Sequence, residues 1–292
     1  VTSQHSTPSG EAALPATPTA QRTLLRTATS AVGQLTRFTW LEVQCCLFPL
    51  AIFAGLAASA VVDLPIARYD ALLVYALAVT VLFWVLRLET GREVAVIFGF
   101  HLIGLALEVF KVHVGSWSYP DEGLLRVGGV PLYSGFMYAA VGSYICQAFR
   151  RFELRVDHFP VVPTAMLAVA AYANFYTHHW LPDVRWLIAA GFVVMLWRSR
   201  VAFTVGQARY RMPLSVSFVL IGFFLWVAEN AGTFLGAWQY PSQAQIWEMV
   251  HTGKWGSWAL LVSLSFVLVA AVKMREGRFY GEPGATPAVQ RR

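Results

Sequence analysis

The chain has 292 residues, of which 57% are hydrophobic and 13% charged, and its formal net charge is +6. The charged share is about half the usual ~25%, which excludes aqueous globular, disordered and collagen-like classes and makes the bilayer the natural solvent. The isoelectric point near 9.4 comes from basic residues, mostly arginine, at the ends of apolar runs, a topology signal that requires no nucleic acid.

Residues 1–37, rich in Ala, Thr, Ser and Pro and lacking a secretory apolar core, read as a disordered cytoplasmic tail. Apolar runs follow at about 38–62, 71–87, 94–111, 131–149, 160–176, 184–204, 213–236 and 257–272. Most approach the roughly 17 to 25 residues of a spanning helix. They predict an all-α polytopic bundle of eight transmembrane helices over 38–276, followed by a second disordered cytoplasmic tail at 277–292. With the N-terminus inside, the inner segments hold 17 Lys and Arg residues and the outer ones 5. That bias favours an even number of crossings with both termini cytoplasmic. Cys45, Cys46 and Cys146 lie in apolar stretches and form neither a disulfide framework nor a metal knuckle.

Two segments align without a gap at an offset of 121. Glu108, Gly115, Trp117, Tyr119 and Pro120 recur as Glu229, Gly236, Trp238, Tyr240 and Pro241, an E-x6-G-x-W-x-Y-P pattern, and Gly135 recurs as Gly256. The duplication predicts two parallel four-helix repeats, about 38–150 and 160–275, related by an axis along the membrane normal. Glutamate and glycine seven residues apart share a helix face, where the glycine can admit a close neighbour beside the carboxylate. Trp117, Trp238, Tyr119 and Tyr240 mark the exit into the outer interface, as ring anchors or as walls of a binding pocket.

An ionised carboxylate within the bilayer costs several kcal/mol unless it is paired or faces water, so Glu108 and Glu229 are the leading functional candidates. Lys111, three residues after Glu108, is positioned to neutralise it on the helix surface. Glu229 has no basic residue within a turn and is the better candidate proton donor. His101, seven residues before Glu108 on the same face, is a candidate proton relay, and Asn230 a candidate for orienting a carboxylate. His113, His178, His179 and His251 map to the outer surface without metal-ligand spacing, so no metal is expected. Nucleotide-binding and serine-hydrolase motifs are absent and no cofactor is implied.

The stretches Phe110-Lys-Val-His-Val-Gly-Ser-Trp-Ser-Tyr-Pro120, Gly129-Val-Pro-Leu-Tyr-Ser-Gly-Phe-Met137 and Ala228-Glu-Asn-Ala-Gly-Thr233 resemble the bacterial integral membrane proteins of domain-of-unknown-function family 817. The resemblance spans about residues 38–276 and implies a multi-pass protein of the bacterial plasma membrane, with no activity attached. A second similarity, resting on the two Glu, Gly, Trp and Tyr sets alone, is to the membrane-embedded lycopene cyclases and carotenoid hydratases. The recurrence of carboxylate, small residue and aromatics as one unit makes the leading expectation an intramembrane enzyme in which Glu229 or Glu108 acts as acid on an apolar, isoprenoid-type lipid. The alternatives are a proton-coupled small-molecule transporter or channel, and a scaffold or assembly factor whose glutamates lock helices together. The partners expected are the lipid bilayer and an apolar lipid or small-molecule substrate; the oligomeric state is open.

Overall fold

In the computed structural model, residues 18–63 and 65–281 are described, with side chains from Ser30 onward. The terminal segments 1–17 and 282–292, parts of the expected tails, lie outside the described residues. Helix α1 (Pro18–Cys45) meets α2 (Leu47–Val61) at a 63° bend, and α3 (Arg68–Val85) and α4 (Gly91–His113) follow. A small hairpin of β1 (Arg126–Val127) and β2 (Val130–Pro131) precedes α5 (Gly135–Arg151) and β3 (Arg155–Asp157). Helices α6 (Val161–Thr177) and α7 (Arg185–Met195) lead into β4 (Arg200–Val205) and β5 (Ala208–Pro213), then α8 (Leu214–Phe234) and α9 (Gly253–Arg275). The architecture is all-α with about nine helices among the described residues, plus an antiparallel sheet of order β3-β4-β5.

The expectation of eight spanning helices in two four-helix repeats is overturned. Among the described residues, α3, α4, α8 and α9 are long and apolar enough to cross a membrane; the bent α1–α2 pair makes a fifth if taken as one span. Helices α5 and α6 have 17 residues each, or about 26 Å against a hydrocarbon thickness of roughly 30 Å. Helix α5 also carries Gln147, Arg150 and Arg151 and buries much of its length against its neighbours. The run at 184–204 splits more sharply. Only 11 residues are helical; the chain then turns near Arg198 and enters β4, where Val201 and Val205 point inward. Gly206, at φ +62°, closes the β4–β5 hairpin. The placement of both termini in the cytoplasm rested on assigning the basic segments to sides across eight crossings and no longer follows.

Two helix pairs dominate the packing. Helix α4 starts with a capping box in which Thr90 Oγ1 accepts from the Glu93 N–H at 3.3 Å and Glu93 Oε2 accepts from the Thr90 N–H at 2.7 Å. It then lies along α5, with Gly104 against the Tyr138 ring and Gly142 against Phe100. Helix α8 approaches α9 closely at Gly222, where an added Cβ would sit 2.6 Å from the Ala259 backbone nitrogen. Large apolar side chains on the outer faces, such as Leu102, Phe224 and Val194, remain exposed and are suited to lipid.

Alanine at Gly222 is therefore expected to push α8 from α9 and destabilise the protein by about 1–3 kcal/mol. Gly99→Ala, where nothing lies within 4 Å of the added carbon, should be neutral. Thermal denaturation in detergent compares the two; equal melting temperatures would contradict the close α8–α9 approach.

Candidate functional site

The duplicated motif folds as a helix end followed by a return loop. At the end of α4 the Gly115 N–H donates to Val112 O at 3.0 Å and the Ser116 N–H to Lys111 O at 2.9 Å. At the end of α8 the Gly236 N–H donates to Thr233 O at 3.1 Å and the Ala237 N–H to Gly232 O at 2.9 Å. Both are Schellman ends, which need a left-handed residue, and the glycines supply φ of +71° and +69°. The glycines are expected to admit a close neighbour; at Gly115 no atom among the described residues lies within 4 Å of an added Cβ, while at Gly236 Arg68 Nη1 approaches to 3.2 Å. The role of both glycines is to reverse the chain so that the following aromatics swing back onto the helix. The two loops then pair, Ser118 and Gln239 exchanging two backbone hydrogen bonds of 2.9 Å. Arg68 supports the second loop from α3, donating to Leu235 O at 2.6 Å and pairing with Asp121 at 2.5 Å.

Glu108, 5% exposed, accepts three hydrogen bonds of 2.6 Å: from Trp117 Nε1 and Tyr119 Oη on one oxygen, and from Tyr138 Oη on the other. Glu229, 4% exposed, accepts a short hydrogen bond from Tyr240 Oη and one of 2.8 Å from Trp258 Nε1 of α9. Trp238, the counterpart of Trp117, packs on Gly232 instead. The two sites touch: the Trp117 and Tyr240 rings lie 6.0 Å apart at 80°, an edge-to-face contact. Lys254 Nζ donates to Tyr240 Oη at 3.2 Å and sits 5.8 Å from the Trp117 ring centre. Both glutamates therefore belong to one network.

Three sequence expectations find different surroundings. Lys111 does not neutralise Glu108; its Nζ donates to Phe175 O at 2.7 Å, lies 3.2 Å from His179 Nε2 and sits over the Phe175 ring. Burial, then the charge of Lys111 and the neighbouring His178, holds His179 below the usual histidine range, which favours a neutral ring accepting from the amine. Asn230 orients no carboxylate: it accepts from the Val250 N–H at 2.8 Å and donates to Trp226 O at 2.8 Å. His101 lies outside the donor set of Glu108, with its ring 4.5 Å from Phe136 and a buried Nδ1 that has no hydrogen-bond partner among the described residues.

Beyond Tyr138, Trp258 and Lys254, a cluster at the opposite end of α4 escapes sequence reasoning because its charges read as loop residues. Glu89, 1% exposed, accepts from Ser143 Oγ at 2.5 Å, and its second oxygen has no hydrogen-bond partner among the described residues. Glu93 lies 3.4 Å from Arg150 Nε. Glu93, His101 and Glu108, spaced by eight and seven residues, follow one face of α4 in steps of about 10–12 Å.

A family model described as protein of unknown function (DUF817) matches residues 34–266. The chain belongs to this family. A relative, the uncharacterized protein YoaT of Bacillus subtilis (strain 168), is 52% identical over 250 residues, covering 83% of this chain and 93% of that protein. No solved structure matches. This DUF817 protein is a multi-pass membrane protein of the bacterial plasma membrane type, with buried, hydrogen-bonded glutamates. Neither the family nor the relative supports the similarity to lycopene cyclases and carotenoid hydratases.

Burial pushes the Glu89 carboxyl up from 4.5 to about 7, Ser143 opposing the shift and Glu93 adding to it. The folded state thus holds this proton more tightly than the unfolded chain. Its contribution to stability is complete below about 4.5 and is lost as pH rises through about 7. Melting curves recorded across that window should show wild type losing stability relative to Glu89→Gln as pH increases; parallel curves would contradict the assignment.

Proposed function

We propose that the protein is a proton-coupled transporter or channel for a small molecule. The observation that carries this reading is the placement of titratable groups along the bundle. Glu89 and Glu93 stand at one end of α4, His101 midway, and Glu108 near the other end, where the network continues to Glu229, Tyr240 and Lys254. Intramembrane ionisable groups in such a series are the elements of proton relays in membrane carriers. Glu229 is the group in contact, through Tyr240, with a lysine at the start of α9, and it takes the role of proton exchange site. His101, with its unpartnered buried nitrogen, is the intermediate station. Glu108, filled by three donors, anchors the return loop and holds Trp117 against Tyr240.

The reading as an acid acting on an apolar lipid is less well served. An olefin could reach Glu108 only by displacing Trp117, Tyr119 or Tyr138, and each displacement would leave a buried polar group unpaired. The lock provided by Glu108 is compatible with the transporter, so a purely structural role is not needed to explain it.

The test is electrical. Vesicles containing the full chain, placed under a proton gradient, are challenged with panels of amino acids, organic acids, sugars and phosphate. At least one panel should elicit a current in wild type, reduced about tenfold or more in Glu229→Gln, equivalent to roughly 1.4 kcal/mol or more of barrier. No current with any panel, or an undiminished current in Glu229→Gln, would contradict the proposal.

A further inference from the structure

A cleft of about 480 Å³ opens where the first turn of α4 meets the last turn of α5 and the end of α9. Its volume falls within the ordinary range for small-ligand sites. Four cations line it, Arg92, Arg150, Lys273 and Arg278, against two carboxylates, Glu93 and Glu276. Those carboxylates are heavily committed. Glu93 gives one oxygen to the Thr90 N–H, and the other lies 3.4 Å from Arg150 Nε. Glu276 is divided between Arg92 at 3.5 Å and Lys273 at 3.2 Å.

The donors exceed the acceptors. Lys273 is 6% exposed, and Glu276 is the acceptor for one of the three N–H bonds its ammonium group carries. Arg150 Nε is buried and, among the described residues, makes no hydrogen bond; it lies 3.4 Å from Glu93 Oε1, and an Nη of the same guanidinium donates to Leu88 O at 2.5 Å. Buried cationic N–H groups call for an anionic acceptor, and the forked guanidinium suits tetrahedral oxyanions in particular. The location adds a second argument. Helices α4 and α9 are both long and apolar enough to span the bilayer, so their ends lie at headgroup depth, where basic pockets between helices hold lipid phosphates.

We infer that this cleft binds a phosphate group, with Lys273 as its buried donor, the half-buried Arg150 beside it, and Arg92 and Arg278 at its exposed rim. The excess of two positive charges over the carboxylates is enough to neutralise a phosphate monoester or ion, or the phosphodiester of an anionic headgroup. The same donors serve an anionic phospholipid headgroup or a free phosphate. The inference is independent of whether the protein moves protons.

Full-length protein in neutral detergent is titrated calorimetrically with inorganic phosphate. In parallel, the protein is reconstituted in phosphatidylcholine with and without phosphatidylglycerol, and co-purifying lipid is read by native mass spectrometry. Affinity for inorganic phosphate, or retention of phosphatidylglycerol over phosphatidylcholine, is expected to fall about fivefold for each of Lys273→Gln and Arg278→Gln. Arg209→Gln, at a residue of β5 that does not line the cleft, should leave it unchanged. The responding probe names the source: phosphate alone a soluble ligand, phosphatidylglycerol alone a lipid headgroup. Arg278 is exposed, so its variant carries the comparison if Lys273→Gln fails to fold. Binding of neither probe, or binding equal in wild type and Arg278→Gln, would overturn the inference.

Discussion

A carboxylate inside a bilayer must be given hydrogen-bond donors, and in this protein the donors come from the chain just beyond the helix that carries it. Glu108 is served by Trp117 and Tyr119, nine and eleven residues downstream, and Glu229 by Tyr240, eleven residues downstream. That reach requires a sharp reversal, and the reversal requires glycine at the left-handed position of each Schellman end. The third donor in the first site and the second donor in the second come from the adjoining helix, Tyr138 on α5 and Trp258 on α9. Each carboxylate thereby fixes a loop and a neighbouring helix at once, and the α4–α5 and α8–α9 pairs are closed by the same groups that desolvation would otherwise penalise.

The two copies are joined but not equivalent. Their return loops share a backbone bridge through Ser118 and Gln239, and their aromatics meet where Trp117 faces Tyr240. The first copy is electrically closed, with three neutral donors around one carboxylate. In the second, Lys254 stands behind the phenol that serves Glu229, so a positive charge communicates with the carboxylate through one hydroxyl. This asymmetry gives the duplicated motif two tasks, an anchor and an exchange site, within one network.

The membrane class, the helices carrying the two glutamates and the recurrence of the motif were legible in composition and spacing; the aromatics, read as interface anchors or pocket walls, instead fold back, with Trp117, Tyr119 and Tyr240 as donors to the carboxylates. They depend on local sequence: a long apolar run, and residues within a dozen positions of one another. The span count was not legible, because an apolar run does not reveal where its backbone leaves the helix. In 184–204 the same hydrophobicity serves 11 helical residues and then a strand, whose pairing partners at 155–157 and 208–213 lie elsewhere in the chain. Partners supplied by other helices were hidden for the same reason. Nothing near Lys111 in sequence points to Phe175 and His179, and nothing near Glu229 points to Trp258. Glu89 and Glu93 were invisible as site residues because burial under α5, not their position beside Arg87 and Arg92, sets their environment.

The central claim is that Glu108 and Glu229 belong to one network coupled through Trp117 and Tyr240. A double-mutant cycle with Glu108→Gln and Glu229→Gln, read by unfolding in a common detergent, tests it most directly. A shared network predicts an interaction free energy above about 0.5 kcal/mol, whereas effects that add within that margin would mean the two carboxylates are independent locks.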